Sequence, residues 1–472
     1  MKMEEGDIGE TYNDRGSSNL AGKGFFEENP EDVVEKNKKC SKKTIIITII
    51  LSSLIAIALI AIIIYFATKD NNKEEEIKKN NTLELIYYTT EEDEELTLFS
   101  SHILTHISSL QIDGTQKEVI SHYYIFNTVG EHRIKIQFKT NLVSLSELFK
   151  YNTNLIQADF SDIETKNVND TSDMFYGCSN LISINLANFK TPSLNNMAGM
   201  FNGCSSLTSI GLSSFDTKNV KDMSNLFYGC YNLGNLDLSN FNTQNVENMK
   251  NMFSSCVSLQ NINLKSFKTS KVVDMASMFY RCYSIKSLDL SGFDASKVTS
   301  MEKMFNFCTS LENLNLENLN PSKVTDMSNM FSSCQVMKSV KLWKSPTNSV
   351  NNLSNMFYGC ANLVDIQFLN SIDITNAKLM GMMFYGCQSL TSLDLSSYKT
   401  PNVENLGGIF GKCSKLTSID ISNFESTKLK VKNNLLNEAP EKGTIRYNSK
   451  IFDKSLLEYK SINGWTKIDV SI

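Results

Sequence analysis

"MFYGCSNL", residues 174–181, holds a cysteine that returns down the chain at a nearly fixed interval. Related octets follow: "MFNGCSSL" from Met200, "LFYGCYNL" from Leu226, "MFYRCYSI" from Met278 and "MFYGCQSL" from Met383. The cysteines stand at 178, 204, 230, 256, 282, 308, 334, 360, 387 and 413. Every interval is 26 residues except the 27 between Cys360 and Cys387. A period of this length marks a stacked repeat, and it overrides the several domains that 472 residues would otherwise imply.

Aligning on cysteine exposes two periods inside each unit. Leu236 and Leu238, two apart, read as a short strand with one buried face. Val246, Met249, Met252 and Phe253 are spaced by three, three and one, which reads as one face of a short helix. The expectation is an α/β solenoid of about eleven strand-turn-helix units over 142–439. Each unit buries its apolar stripe only against its neighbours.

The unit "VxDMSxMFxxCxxLxxLDLSxFxT" resembles the 26-residue leucine-rich repeat of BspA-like surface proteins. The resemblance implies a leucine-rich-repeat protein displayed at a cell surface, in a family linked to adhesion and to contact with host or matrix.

The flanks read differently. Residues 82–141 alternate apolar and polar positions, as in Ile134, Ile136 and Phe138 against Arg133, Lys135 and Gln137. They are expected to form a β-rich module that caps the N-terminal end of the solenoid. Residues 440–472 break the period and read as a C-terminal cap that includes Trp465. Residues 44–67 carry no charge in 24 positions. A helix of that length spans roughly 36 Å, enough to cross a bilayer core of about 30 Å. The preceding "EKNKKCSKK" has five lysines in nine residues, so the positive-inside rule keeps 1–43 in the cytosol. The expectation is a single-pass type II plasma-membrane protein: a disordered acidic tail (1–43), a transmembrane helix (44–67), a charged stalk (68–81) and extracellular repeats. Cys40 is a lipidation candidate beside the membrane. Asn80, Asn169 and Asn352 lie in glycosylation sequons.

What chemistry the chain could perform is limited. A net charge of −5 gives no basic footprint for nucleic acid. No nucleophile elbow, phosphate loop or zinc-protease motif occurs, and no cofactor is implied. His102 and His106 are four apart but have no evident third ligand, so no metal site is assigned. The cysteine slot lies on the apolar side of the unit. Parallel Cβ vectors on stacked units suit a disulfide poorly, and no CxxC pair occurs for a metal. Packing thiols are therefore favoured over disulfides or metal ligands. Asn152 and Ala439 occupy the slot at its two ends, which suits a small, partly buried residue.

The strand face is the natural binding surface, and its ladder is plain except in one place. Lys341 and Trp343 stand where neighbouring units have Asp or Asn and Ser. The next unit places Gln367 and Leu369 there and carries the extra residue. An exposed tryptophan beside a lysine has the composition of an interface anchor. A tryptophan covering a packing gap is the competing reading. The function expected is non-enzymatic binding of an extracellular protein or glycan ligand, in adhesion to host, matrix or neighbouring cells. Alternatives are a receptor-like protein signalling through its cytosolic tail, a structural coat protein and a carbohydrate-active enzyme.

Overall fold

The computed structural model describes residues 81–457 and 464–471, all within the compact unit Lys78–Ile472. Its first strands are β1 (Thr82–Thr89), β2 (Glu94–Thr97), β3 (Ile107–Ile112), β4 (Thr115–Lys117), β5 (Tyr123–Phe126) and β6 (Gly130–Phe138). They lead into β7 (Leu155–Asp162) and β8 (Ser183–Asn185). One six-stranded sheet runs β4-β3-β6-β1-β7-β8, while β2 and β5 form a separate ribbon. The sheet is antiparallel up to β7, and from β7 to β8 it turns parallel with a 26-residue offset, Gln157 opposite Ser183. The N-terminal sheet is thus hydrogen-bonded directly onto the first coil of the solenoid.

The coils that follow contribute only three-residue strands: β9 (Asn235–Asp237), β10 (Asn261–Asn263), β11 (Asn313–Asn315), β12 (Ser339–Lys341), β13 (Asp365–Gln367), β14 (Ser392–Asp394) and β15 (Ser418–Asp420). The stack ends with β16 (Lys442–Tyr447) and β17 (Gly464–Asp469), both parallel to the coil strands. Trp465 is buried there, and its indole N–H donates to the Pro440 carbonyl at 2.7 Å.

The strand-turn-helix unit is corrected by the structure. The molecule is a β-solenoid: eleven parallel bridges, from Ser144–Asp170 to Asn405–Val431, join about twelve successive coils. The only helices among the described residues are 3-10 turns, at Ser101–His106, Leu369–Ser371 and Lys454–Leu457. The segment expected to be helical is a pair of tight turns, and the backbone shows why. Five residues before each cysteine slot, and again one residue before it, the chain has positive φ, as at Asn225 and Gly229, Asn251 and Ser255, or Asn329 and Ser333. A right-handed helix cannot pass through such residues. In the coil of Cys256, Met252 and Ser254 donate back three residues, to Met249 and Asn251. The alternating Met249, Asn251, Phe253 and Ser255 donate instead to the next coil, at Asp274, Ala276, Met278 and Tyr280. Successive turns of three to four residues bring Val246, Met249, Met252 and Phe253 inward at the same spacing as a helix, so the apolar pattern fits both.

The membrane-spanning helix is likewise corrected. Among the described residues no helix is long and apolar enough to cross a membrane, and the single-pass type II topology is left without support. Residues 44–67, the tail 1–43 with Cys40, and the stalk up to Asn80 lie outside the described residues.

Three internal columns hold the coils together. Phenylalanines three residues before the cysteine slot stack continuously from Phe149 to Phe410, with centroids 5.3–6.2 Å apart and planes within 4–23°. Each such pair contributes about 0.5–1.5 kcal/mol beyond its burial. Threonines form the second column. Thr243 Oγ1 donates to the Lys268 carbonyl at 3.0 Å and accepts from the Lys268 N–H at 2.7 Å, and Thr217, Thr269, Thr347 and Thr400 bond the next coil in the same two ways.

The cysteines are the third column. All ten are buried and free, and each thiol donates to the phenylalanine carbonyl of the preceding coil, as Cys256 does to Phe227 at 3.1 Å. Burial pushes their pKa values up, to about 12 at Cys178, Cys230, Cys360 and Cys413. At neutral pH they are protonated and poor nucleophiles. Asn152, in the same slot of the first coil, is buried but does more than fill space. Its amide donates to Tyr87 Oη at 2.8 Å and to the Thr97 carbonyl at 2.7 Å, tying the N-terminal sheet to the solenoid.

Candidate ligand-binding surface

The outward row of the strand face begins in the N-terminal sheet. Gln111 pairs with Lys135, Lys135 with Glu84, Glu84 with Asp159, and Asp159 with Asn185. Since alternate strand residues share a face, five polar side chains from β3, β6, β1, β7 and β8 form one line across the sheet. Lys135 is paired with Glu84 at 2.9 Å, and the Asn185 amide donates to Asp159 at 3.1 Å. A parallel row holds Arg133, Ile86, Gln157 and Ser183. These side chains line a groove of about 440 Å³ where the antiparallel sheet runs into the solenoid. That size lies within the usual ligand-site range of about 300–1,000 Å³.

Along the solenoid the same row continues as Gly211, Asp237, Asn263, Asp289, Asn315, Lys341, Gln367, Asp394 and Asp420. Most of these residues close a turn. Asp237 accepts from the Ser239 N–H at 2.9 Å, Asp289 from Ser291 at 3.1 Å and Asp394 from Ser396 at 2.9 Å. Asx-turns of this kind explain the recurring "LDLS". Hydrogen bonds from Ser239, Ser291 and Ser396 hold the three carboxyls below their ordinary pKa. These acids are occupied by the backbone, so the acidic ladder is mainly structural.

Lys341 and Gln367 cannot form that turn, and both coils change shape. Lys341 is half-buried and, with Lys344, is paired to Glu317. Both ammonium groups lie 5.7 Å from the Phe368 ring. Phe368 has a left-handed backbone, φ 60°, at the start of the 3-10 turn that absorbs the extra residue. Gln367 is exposed and donates to Asp365 at 2.9 Å. Leu369 is partly buried, and its carbonyl accepts from Tyr398 Oη at 2.7 Å. Lys341 and Gln367 sit opposite each other in β12 and β13.

Trp343 corrects the expectation of an exposed anchor: it is fully buried, at 0% exposure. The reason is local. Eleven residues after each cysteine a large apolar side chain normally points inward, as Phe215, Phe241, Phe267 and Phe293 do. In this coil the position is Ser345. Trp343, two residues earlier, is buried next to the buried Leu342 with its indole N–H unpartnered, and we read it as standing in for the bulk that Ser345 lacks. Ser345, where earlier coils have Phe215, Phe241, Phe267 and Phe293, was the signal that could have revealed it.

The sequons differ in access. Asn169 is half-exposed. The Asn352 amide donates to Asp326 at 3.4 Å, within the column of bridging residues. Among the described residues no group of three His, Cys, Asp or Glu side chains is placed to hold a metal ion.

The repeat is matched by a family model described as "Mycoplasma protein of unknown function, DUF285", over residues 143–262, 257–363 and 337–446. The chain belongs to this family. Its DUF285 coils are BspA-like leucine-rich repeats. No curated protein matches the chain. Similar solved structures include a leucine-rich cell surface protein from Faecalibacterium prausnitzii, 17% identical over 68% of this chain and 91% of that one, with a TM-score of 0.34. Another is the functional domain of InlJ from Listeria monocytogenes, described as including a cysteine ladder: 15% identity, 69% and 66% coverage, TM-score 0.21. A third is the plant peptide hormone receptor RGFR1 in complex with RGF2: 14% identity, 66% and 51% coverage, TM-score 0.27.

Proposed function

We propose that the protein is a non-catalytic adhesive protein acting at a cell surface, and that it holds an extended, polar segment of a protein ligand on the strand face at the N-terminal junction. The observation that carries this reading is the line of Gln111, Lys135, Glu84, Asp159 and Asn185 across five hydrogen-bonded strands. Donors and acceptors of both charge signs are mounted on a rigid sheet beside a groove of about 440 Å³. Such a surface meets the alternating N–H and C=O groups of an extended chain and the charges beside them. The likeness of its coils to the repeats of BspA-like surface proteins supports the surface context. The buried, protonated thiols and the turn-closing aspartates leave those groups engaged in packing and folding.

The test is binding of the full-length protein to immobilised matrix proteins and to whole cells, with and without Lys135→Ala/Gln157→Ala. Both side chains are exposed, so the melting temperature should hold within about 0.5 kcal/mol of stability. Binding should fall at least about thirtyfold if the pair includes a hot spot of about 2 kcal/mol. Undiminished binding by the double variant would remove the junction groove from consideration.

A further inference from the structure

We propose a second, separate binding site, for a neutral glycan, in the groove between the coils of Cys334, Cys360 and Cys387. The groove has a volume of about 410 Å³ and is walled by Tyr358 and Tyr385, with Gln335, Asn362 and Gln388 among its lining.

The position two residues before the cysteine shows how the sequence builds it. From the coil of Cys178 onward the position reads Tyr176, Asn202, Tyr228, Ser254, Tyr280, Asn306, Ser332, Tyr358, Tyr385 and Gly411. Before Ser332 each tyrosine alternates with a small polar residue. At Tyr358 and Tyr385 two follow in succession, and their rings stack at 5.1 Å with planes 5° apart. Gly411 makes the arrangement possible, because a Cβ there would sit 2.7 Å from the Tyr385 ring. The floor is equally bare. Gly359 and Gly386 have positive φ, and a Cβ on Gly386 would lie 3.4 Å from the Gly359 Cα.

The chemistry of the lining selects the ligand. No carboxylate, lysine, arginine or histidine is among the lining residues, and a charge beside the wall, the Lys412 ammonium, lies 5.9 Å from the Tyr385 ring. The bare lining favours a neutral ligand over phosphate, carboxylate or ammonium groups. Gln335, Asn362 and Gln388 are exposed, and their side-chain amides have no protein hydrogen-bond partner in the described structure. Each amide offers two N–H donors and a carbonyl acceptor, and each tyrosine hydroxyl does both. Neutral donors and acceptors beside an aromatic wall match a ligand that carries many hydroxyls on a partly apolar ring. A hexopyranose has that character, and the groove's length across three coils suits a short oligosaccharide. A polypeptide ligand would have to present the same neutral, hydroxyl-rich surface.

The experiment applies the full-length protein to a printed array of neutral and acidic oligosaccharides, followed by calorimetry with the best neutral glycan. The wild type should retain neutral hexose-containing glycans over acidic ones. Ala361→Trp, which fills the groove without removing a contact, and Gln388→Ala should each weaken binding at least about tenfold. Tyr231→Ala, an exposed tyrosine in an earlier coil, should bind as wild type. So should Lys135→Ala/Gln157→Ala, which separates this site from the junction groove. Retention of no neutral glycan, preference for acidic glycans, or undiminished binding by a folded Ala361→Trp variant would overturn the proposal.

Discussion

The coils from Cys204 to Cys308 and those from Cys334 to Cys387 share one backbone but differ on its surface. In the first group each column repeats itself: phenylalanine or leucine after the strand, and Asp or Asn at most strand ends. In the second, Ser345 interrupts the phenylalanine column, Lys341 and Gln367 replace the turn-closing residues, and one coil has an extra residue. Yet the inner phenylalanine stack crosses without a break, with Phe305, Phe331, Phe357 and Phe384 spaced 5.3–5.6 Å. The thiol bonds also continue, from Cys334 to Phe305 at 3.1 Å and from Cys360 to Phe331 at 3.0 Å. Inter-coil backbone bonds and the inner columns define the solenoid. The outer turns are free to vary, and both unusual surface features of the repeat region, the Lys341–Phe368 cluster and the tyrosine groove, fall where they do.

The largest effect should come from a column that both regions share. A thiol whose pKa is raised on folding keeps its proton longer in the native state. Stability is therefore full below the ordinary thiol value of 9.0 and falls as pH rises through the folded values, about 12 at Cys178, Cys230, Cys360 and Cys413 and likewise raised at the other six. With ten such thiols the melting temperature should drop steeply as pH rises above about 9. Cys256→Ala and Cys360→Ala should each make that fall shallower by a similar amount. A slope changed by one and not the other would mean that the two regions bury their thiols differently.

Trp343→Ala comes next. Removing a fully buried tryptophan should cost about 3–5 kcal/mol, and Ser345→Phe in the same chain should recover part of it by restoring the regular column. Denaturant unfolding of the single and double variants checks this. A loss unrelieved by Ser345→Phe would mean that Trp343 does not stand in for the phenylalanine.

Gly203→Ala tests the regular turns. Gly203 has φ +75°, and a Cβ there would sit 3.3 Å from Gly177. The left-handed conformation alone should cost about 1–2 kcal/mol. Phe307→Gly, at the equivalent position of a later coil, should run the other way by up to about 1 kcal/mol. The smallest effect is expected at the irregular surface. Lys341→Asn should shift stability by no more than about 0.5–1 kcal/mol, because its partly exposed pairing with Glu317 contributes little.

Sequence alone determined the period, the leucine-rich-repeat character, the inward positions and the place where the ladder departs from itself, because a stacked repeat writes its core once per coil. It left the choice between helix and turn undecided. Val246, Met249, Met252 and Phe253 have the spacing of a helix, and consecutive tight turns reproduce that spacing. Asn and Gly at two fixed positions four residues apart were the legible hint, since those residues favour positive φ. The fate of Trp343 was also beyond the strand pattern. Alternation placed it outside, whereas in the folded chain it is buried, in the coil where Ser345 replaces the large apolar residue of its neighbours. Likewise the polar line from Gln111 to Asn185 joins residues up to 101 positions apart, and no local period connects them. The tertiary structure decided these points because each depends on which backbone groups and side chains of different coils and strands meet, and hydrogen bonds between coils outweigh the propensity of any one segment.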